Sequence, residues 1–378
     1  MWPTPRAAAV IGLLLASLTV ATAPAARERW TEQQAGEWYA RQPWILGANY
    51  IPATAINQLE MWQADSFDPR RIDLELGWAE AIGMNSMRVF LHDLLWQQDA
   101  AGFRTRIDAF LEIAARHHIR ALFVLFDSVW DPDPHLGRQH PPVPGVHNSG
   151  WVQSPGAVTL ADPSQYPRLE RYVKGVVAAF ASDKRVLGWD VWNEPSYSDQ
   201  VGGSYASREA PHKGERVRAL LPKVFAWARA ANPTQPLTSG VWGESWEHAG
   251  RASGTPLIQL SESDVISFHS YDKPAIFEQK VVALMHYQRP LICTEFMARS
   301  EGSTFENTLP IARKFRVGAL SWGLVQGKTQ TIYPWDSWQK PYDHEPTPWF
   351  HDVFRTDGRP YDPAETALIR RLSGEPDR

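Results

Sequence analysis

The chain has 378 residues and a net charge of −4, with 21% charged and 43% hydrophobic residues. That balance excludes a disordered polyelectrolyte, and the want of any Lys/Arg run excludes a nucleic-acid partner. The unusual counts are 18 Trp and 30 Pro; indoles fill cores and interfaces, and their flat faces also suit stacking on sugar rings.

Residues 1–26 read as a signal peptide. Met1 to Arg6 carries one Arg, Ala7 to Val20 is apolar but too short to span a bilayer stably, and Ala23-Pro24-Ala25 offers a small-x-small cleavage pattern. The rest, 27–378, is then exported to periplasm or medium, with no membrane association after cleavage.

Strands and helices alternate from there. Trp44 to Asn49 is a first strand. Asp68-Pro69 opens a helix to Ile82, with Asp as N-cap, Pro in the first turn and Gly83 as the stop. Asn85 to Phe90 is strand two, Ile107 to His117 a helix, and Arg120 to Phe126 strand three. A long loop rich in Pro, Gly and His runs from Asp127 to about Pro163. Then come a helix at Leu169–Ala181, strand four at Val186–Asn193, a helix at Gly214–Ala231 and strand five at Pro236–Gly240. Strand six is Asp264–His269, followed by a helix at Ala275–Tyr287. Strand seven is Leu291–Glu295, then a helix at Phe305–Phe315, strand eight at Gly318–Trp322 and a last helix at Pro363–Leu372. Eight apolar strands alternating with helices, without a linker or a repeat of fixed period, predict a single-domain α/β fold, the (β/α)8 TIM barrel. An open doubly wound sheet is disfavoured because no Gly-rich nucleotide fingerprint follows the first strand.

Catalytic groups of such barrels sit at the C-terminal strand ends. Those ends carry Arg88, Asn193 with Glu194, His269 with Tyr271, Glu295, and Trp322. Two glutamates on the ends of two parallel strands are what a double-displacement glycosidase needs, one to transfer a proton and one to attack carbon. Each position has a plainer reading: Arg88 as a structural ion-pair partner, His269 as a satisfied core histidine, Trp322 as core. Asp190 reads as a buried, paired acid. His117-His118 ends a helix at the opposite face, so a metal role is not assigned. Glu244 and Glu247, beside Trp242 and Trp246, read as rim groups. Cys293 is the sole cysteine, which excludes an intrachain disulfide and a Cys-ligated metal; it reads as an inert core thiol.

Five pieces in order, Gly83-Met84-Asn85-Ser86-Met87-Arg88-Val89, Trp192-Asn193-Glu194-Pro195, Phe268-His269-Ser270-Tyr271, Cys293-Thr294-Glu295-Phe296 and Leu320-Ser321-Trp322-Gly323, resemble clan A of the glycoside hydrolases, particularly the family five cellulase/mannanase group. By that resemblance Glu194 is the general acid/base and Glu295 the nucleophile, with no cofactor and no metal. Asn193 can hydrogen-bond a sugar 2-hydroxyl, Arg88 beside Glu295 favours its ionised form, Tyr271 can hold a nucleophile oxygen, and Glu194, drier beside Trp192, keeps its proton. Many family members carry a His at the end of strand three. Here Asp127 stands in that region, and either it replaces the sugar contact or the contact is missing.

Trp96, Trp130, Trp151, Trp242, Trp246, Trp335 and Trp338 are expected around the mouth, suggesting several sugar subsites. His135, His140 and His147 mark a loop that can wall one end of the cleft, and endo and exo action stay open. The implied function is a retaining β-glycoside hydrolase, a monomer, acting on β-linked oligo- or polysaccharide of the β-1,4-glucan or β-mannan type. The alternatives are a transglycosylase on the same scaffold and a non-catalytic carbohydrate-binding barrel.

Overall fold

The computed structural model describes residues 1–4, 26–197, 205–243 and 252–374. Most of the expected signal segment, and Glu244, Trp246 and Glu247, lie outside the described residues. In chain order the elements are α1 Glu32–Ala40, β1 Leu46–Asn49, α2 Gln58–Trp62, α3 Pro69–Ala81, β2 Ser86–Phe90, α4 Asp93–Arg116, β3 Arg120–Val124, α5 Ala157–Ala161 and α6 Tyr166–Ala179. They continue as β4 Val186–Asp190, α7 Lys213–Ala230, β5 Leu237–Thr238, α8 Gly254–Glu262, β6 Ile266–His269, α9 Pro274–Met285, β7 Leu291–Phe296, α10 Phe305–Lys314, β8 Gly318–Ser321 and α11 Pro363–Ser373.

All eight strands run parallel in the order β5-β4-β3-β2-β1-β8-β7-β6. The first and last members meet through a parallel bridge between Val241 and Phe268, which brings the sheet round into a barrel. Three backbone bonds cross that seam: Asp264 N to Leu237 O, Val241 N to Ser267 O, and His269 N to Val241 O. The strands are apolar because both faces are covered. Inside the barrel Leu122, Leu187, Ile292 and Leu320 pack with Trp38 and Tyr39 of α1, so α1 seals the end opposite the strand C-termini. Fully burying such a side chain stabilises the fold by roughly 1.5–3 kcal/mol.

The helix start at Asp68 is as expected: its side chain accepts from Arg71 N at 3.0 Å, Pro69 follows, and Gly83 stops the run at φ 82°. The helix expected from Ile107 begins earlier, at Asp93. It breaks at Asp99, whose φ of −157° is non-helical and whose carboxylate caps Gly102 N at 2.8 Å. That internal cap hides the first turns from a periodicity reading. α1, α2, α5 and α8 were not anticipated; three of them are nine residues or shorter and embedded among polar and Pro-rich stretches, and α8 is also nine. Strand four stops at Asp190 rather than Asn193; beyond it Asn193 keeps only an isolated parallel bridge to Asp127. β7 extends to Phe296, one residue beyond Glu295.

Candidate active site

Arg88, on β2, is fully buried and spends all five of its N–H groups on four side chains. One terminal nitrogen donates to Glu295 Oε1 at 2.7 Å and Asn49 Oδ1 at 2.8 Å. The other donates to Asp190 Oδ2 at 2.7 Å and Asn193 Oδ1 at 2.6 Å, and Nε also reaches Asp190 Oδ2 at 3.0 Å. The guanidinium thus gathers the ends of β1, β2, β4 and β7 at one point. Asp190 is the buried paired acid that its strand position suggested. Removing Arg88 would strand two buried carboxylates, so Arg88→Met is expected to destabilise the fold by about 3–5 kcal/mol in a denaturant titration. It should also raise the proton affinity of Glu295, whose charge Arg88 offsets.

Glu295 accepts from Arg88 on one oxygen and from the Tyr271 hydroxyl on the other, at 2.7 Å each. Glu194 sits four residues past the end of β4 with a left-handed φ of 42°, and its Oε1 lies 2.9 Å from His269 Nδ1. Burial holds His269 well below its usual range, so this is a contact to a neutral imidazole rather than an ion pair. His269 is therefore no idle core residue; it orients Glu194. One oxygen of Glu194, one of Glu295 and a nitrogen of His269 lie within 4.8 Å of one another.

The two carboxyls are unequal. Burial raises both, and their mutual repulsion belongs to the pair. Glu194 is held well above the usual carboxylate range by desolvation and by the Glu295 charge, with Arg88 a minor opposing influence. Glu295 is pushed by burial only to about 7, because Arg88 and the Tyr271 hydroxyl pull it back. Glu295 is the first to ionise and Glu194 keeps the proton. The Tyr271 hydroxyl stays protonated, being raised by burial and by Glu295.

Two expectations about neighbours need correction, and of the two alternatives for Asp127 the structure favours the missing contact. Trp192 does not dry Glu194: its ring packs on Phe126, centroids 5.1 Å apart, and Phe126 packs on Tyr172 of α6. The alternation that aligned it with Asp190 ends with the strand. Asp127 is buried and engaged by Trp151 Nε1 at 2.7 Å, Asn193 Nδ2 at 2.9 Å and Val129 N at 3.1 Å. It positions Asn193 and Trp151 instead of offering a sugar contact; burial pushes it up to about 6. Trp96 lies away from the mouth, on α4, packed on Tyr172 of α6.

Above these groups opens a cleft of about 590 Å³. Glu194, Glu295, Asn193 and Tyr271 line it, with Trp130, Trp151, Trp242, Trp322 and Trp335 as its aromatic wall; Arg88 and His269 lie beneath. Trp151 and Phe90 both meet Trp322 edge-on, Trp335 meets Tyr271 edge-on at 5.2 Å, and Trp242 packs on Tyr197 at 5.8 Å. Trp338 stacks behind Trp130 at 5.0 Å. Of the loop histidines, His147 lines the cleft while His135 and His140 are exposed. His117 and His118 are engaged by Glu80, and His117 also by Asp73, outside the site.

Sequence reasoning missed Asn49, His351 and Asn148. Asn49 was detectable as a polar residue closing the apolar first strand; its amide donates to Thr294 O and Ser321 O, tying β1 to β7 and β8. His351 and Asn148 sit on long loops that carry no strand-end signal. Among the described residues, Glu194, His269 and Glu295 form the one His/carboxylate cluster with metal-ligand spacing. A cation fits it poorly, since both oxygens of Glu295 are already engaged and the Arg88 charge adjoins them.

No family model matches the chain, and no curated protein matches it. Solved structures do. The β-1,4-D-mannanase from Cryptopygus antarcticus superposes with a TM-score of 0.57 at 12% identity, over 88% of this chain and 91% of that one. GH5_18 from Streptomyces cattleya, solved in complex with GlcNAc, gives 0.56 at 15% identity over 88% and 81%. The exo-β-1,4-mannosidase from Opitutaceae bacterium strain TAV5 gives 0.59 at 16% identity, over 87% of this chain and 59% of that one. At such identities the likeness establishes architecture: the chain has the (β/α)8 fold that these enzymes share.

Proposed function

We propose that the protein is a retaining β-glycoside hydrolase working by double displacement. The observation that carries this reading is the pair of unequal carboxyls on β7 and just past β4, with one oxygen of each within 4.8 Å. Retention needs carboxyls about 5–5.5 Å apart, whereas inversion needs roughly 6.5–9.5 Å to seat a water. In the first step the ionised Glu295 attacks the anomeric carbon, the glycosidic C–O bond breaks, and the Glu194 proton passes to the leaving oxygen. The product is a glycosyl ester on Glu295. Its formation removes the negative charge that helps hold Glu194 protonated, so the proton affinity of Glu194 falls. Glu194 then takes a proton from water, the water oxygen bonds the anomeric carbon, and the ester C–O bond breaks.

β-1,4-linked mannan or glucan is the substrate class this reading favours, mannosides first, because the solved structures of like fold include β-mannanases and a β-mannosidase. The apolar amino-terminal run supports action outside the cytoplasm, on carbohydrate in periplasm or medium. Hydrolysis assays over mannan, glucan, xylan and their aryl β-glycosides, with the anomer of the first product read by NMR, test the proposal. A product of inverted configuration would overturn it.

The pH dependence follows from the order of ionisation. Turnover needs Glu295 ionised and Glu194 protonated. Activity should therefore rise as pH climbs through the Glu295 ionisation, raised to about 7, and fall as Glu194 ionises above it. A profile of kcat/KM against pH is expected to place the acid limb well above the ordinary Glu value of about 4.3.

A further inference from the structure

One end of the cleft is closed by chain. The segment 143–151 after β3 and the segment 329–342 after β8 are tied together across the mouth. Gln330 makes three of the ties, donating to Val143 O at 2.6 Å and Val146 O at 3.1 Å and accepting from Gly145 N at 3.1 Å. Asn148 N donates to Thr329 O at 2.8 Å, Tyr342 N to Gly145 O at 3.0 Å, and His147 N to Ser337 Oγ at 3.0 Å. β3 and β8 are separated in the sheet by β2 and β1, so this strap spans the ends of those two strands.

The rings under it are closed off. Trp151 is 3% exposed and Trp130 6%, although both line the cleft. A groove that binds the middle of a polymer keeps its platform rings open along the chain at both ends. Here the opposite flank, beyond the line from Glu194 to Glu295, carries the partly exposed Trp242 after β5. Attack by Glu295 in line with proton transfer from Glu194 places the attacked ring to one side of that line and the leaving group to the other. In the strand order Asn49 on β1, Arg88 on β2 and Trp322 after β8 fall on the strap's side.

The closed end also has unfilled acceptors. The Nδ1 atoms of His351 and His147 bond the carbonyls of Met297 and Tyr333, which can only accept. Each ring therefore carries its proton on Nδ1 and presents Nε2 as an acceptor. His351 Nε2 and Asn148 Oδ1 are buried with no protein donor. Both residues belong to the cleft wall, and a buried acceptor left unfilled costs roughly 1–3 kcal/mol. A chain's terminal sugar has a free hydroxyl where an internal sugar carries its next linkage.

We infer that the cleft is a one-ended pocket for the non-reducing terminal residue of a β-linked chain, so that the enzyme is exo-acting and releases one monosaccharide per water consumed. The inference rests on the glycosidase reading above and specifies where along the chain that chemistry falls. The test uses β-1,4-manno- and gluco-pentaose carrying a fluorescent tag at the reducing end, each with the non-reducing end free or capped as a 4,6-O-benzylidene acetal. On the free-ended substrate the first products should be untagged monosaccharide and a tagged tetraose, and capping should slow cleavage at least about 100-fold, the ~2.7 kcal/mol equivalent of that ratio. Equal cutting of capped and free chains, a mixture of tagged fragments from the outset, or tagged monosaccharide as first product would each overturn the exo assignment while leaving the glycosidase intact. If neither pentaose nor any aryl β-glycoside is cut, the glycosidase reading falls and the inference falls with it.

Discussion

Glu295→Ala should reduce turnover of every glycoside by about 10⁴-fold or more, a loss of roughly 5.5 kcal/mol in transition-state stabilisation. Among the described residues Glu295 is the only carboxylate held jointly by a guanidinium and a phenol at the floor of the cleft, so no described neighbour is placed to take over attack on the anomeric carbon. Asp190 is occupied by Arg88 and Asp127 by Trp151 and Asn193. The fold should survive, since Arg88 keeps Asp190, Asn49 and Asn193 as partners. Far-UV circular dichroism and a thermal melt check that, and steady-state kinetics on an aryl glycoside give the loss. A variant retaining a few per cent of activity would move the nucleophile elsewhere.

Glu194→Ala has a different signature, because acid and base roles fall in different steps. With natural leaving groups, which need a proton, kcat/KM should drop by about 10²–10⁴. With a dinitrophenyl glycoside the departing oxygen needs none, so glycosylation of Glu295 should stay near its normal rate. Hydrolysis of the ester then lacks its base. The glycosyl-enzyme should accumulate, visible as a burst of phenolate and as a mass increase on the protein. Added azide, a nucleophile that requires no deprotonation, should restore turnover and yield a glycosyl azide of retained configuration. If dinitrophenyl substrates suffer as badly as natural ones, Glu194 is not the acid.

How much of this could be read from the chain follows from where each signal lies. The eight strands are continuous apolar runs, a pattern produced by burial on both faces, so the barrel was legible. Arg88, Glu295 and His269 sit within strands or at their ends, where position implies direction, and their convergence followed from the fold. Past a strand end that logic lapses: Trp192 turned outward, and Asp127 became an orienting group rather than a sugar ligand. The strap was less legible still. Gln330, Gly145 and His147 lie on irregular chain, and nothing in their local sequence announces that segments nearly two hundred residues apart will bond. Short helices such as α2 are stabilised by tertiary packing rather than by their own propensity, which is why periodicity did not find them.

The seam between β5 and β6 has a mechanical consequence. Much of the barrel wall is laced by longer runs of ladder pairs, five between β2 and β3, whereas β4 and β5 share two and the seam closes through three backbone bonds. That weak line runs beside Trp242 and His269, on the flank assigned to the leaving group. In native-state hydrogen exchange the amides of Val241 and His269 should therefore be the first of the barrel interior to trade their protons, ahead of β2 and β3. On the proposed reading, the wall expected to open first faces the departing chain, and the wall beneath the strap holds the sugar being cut.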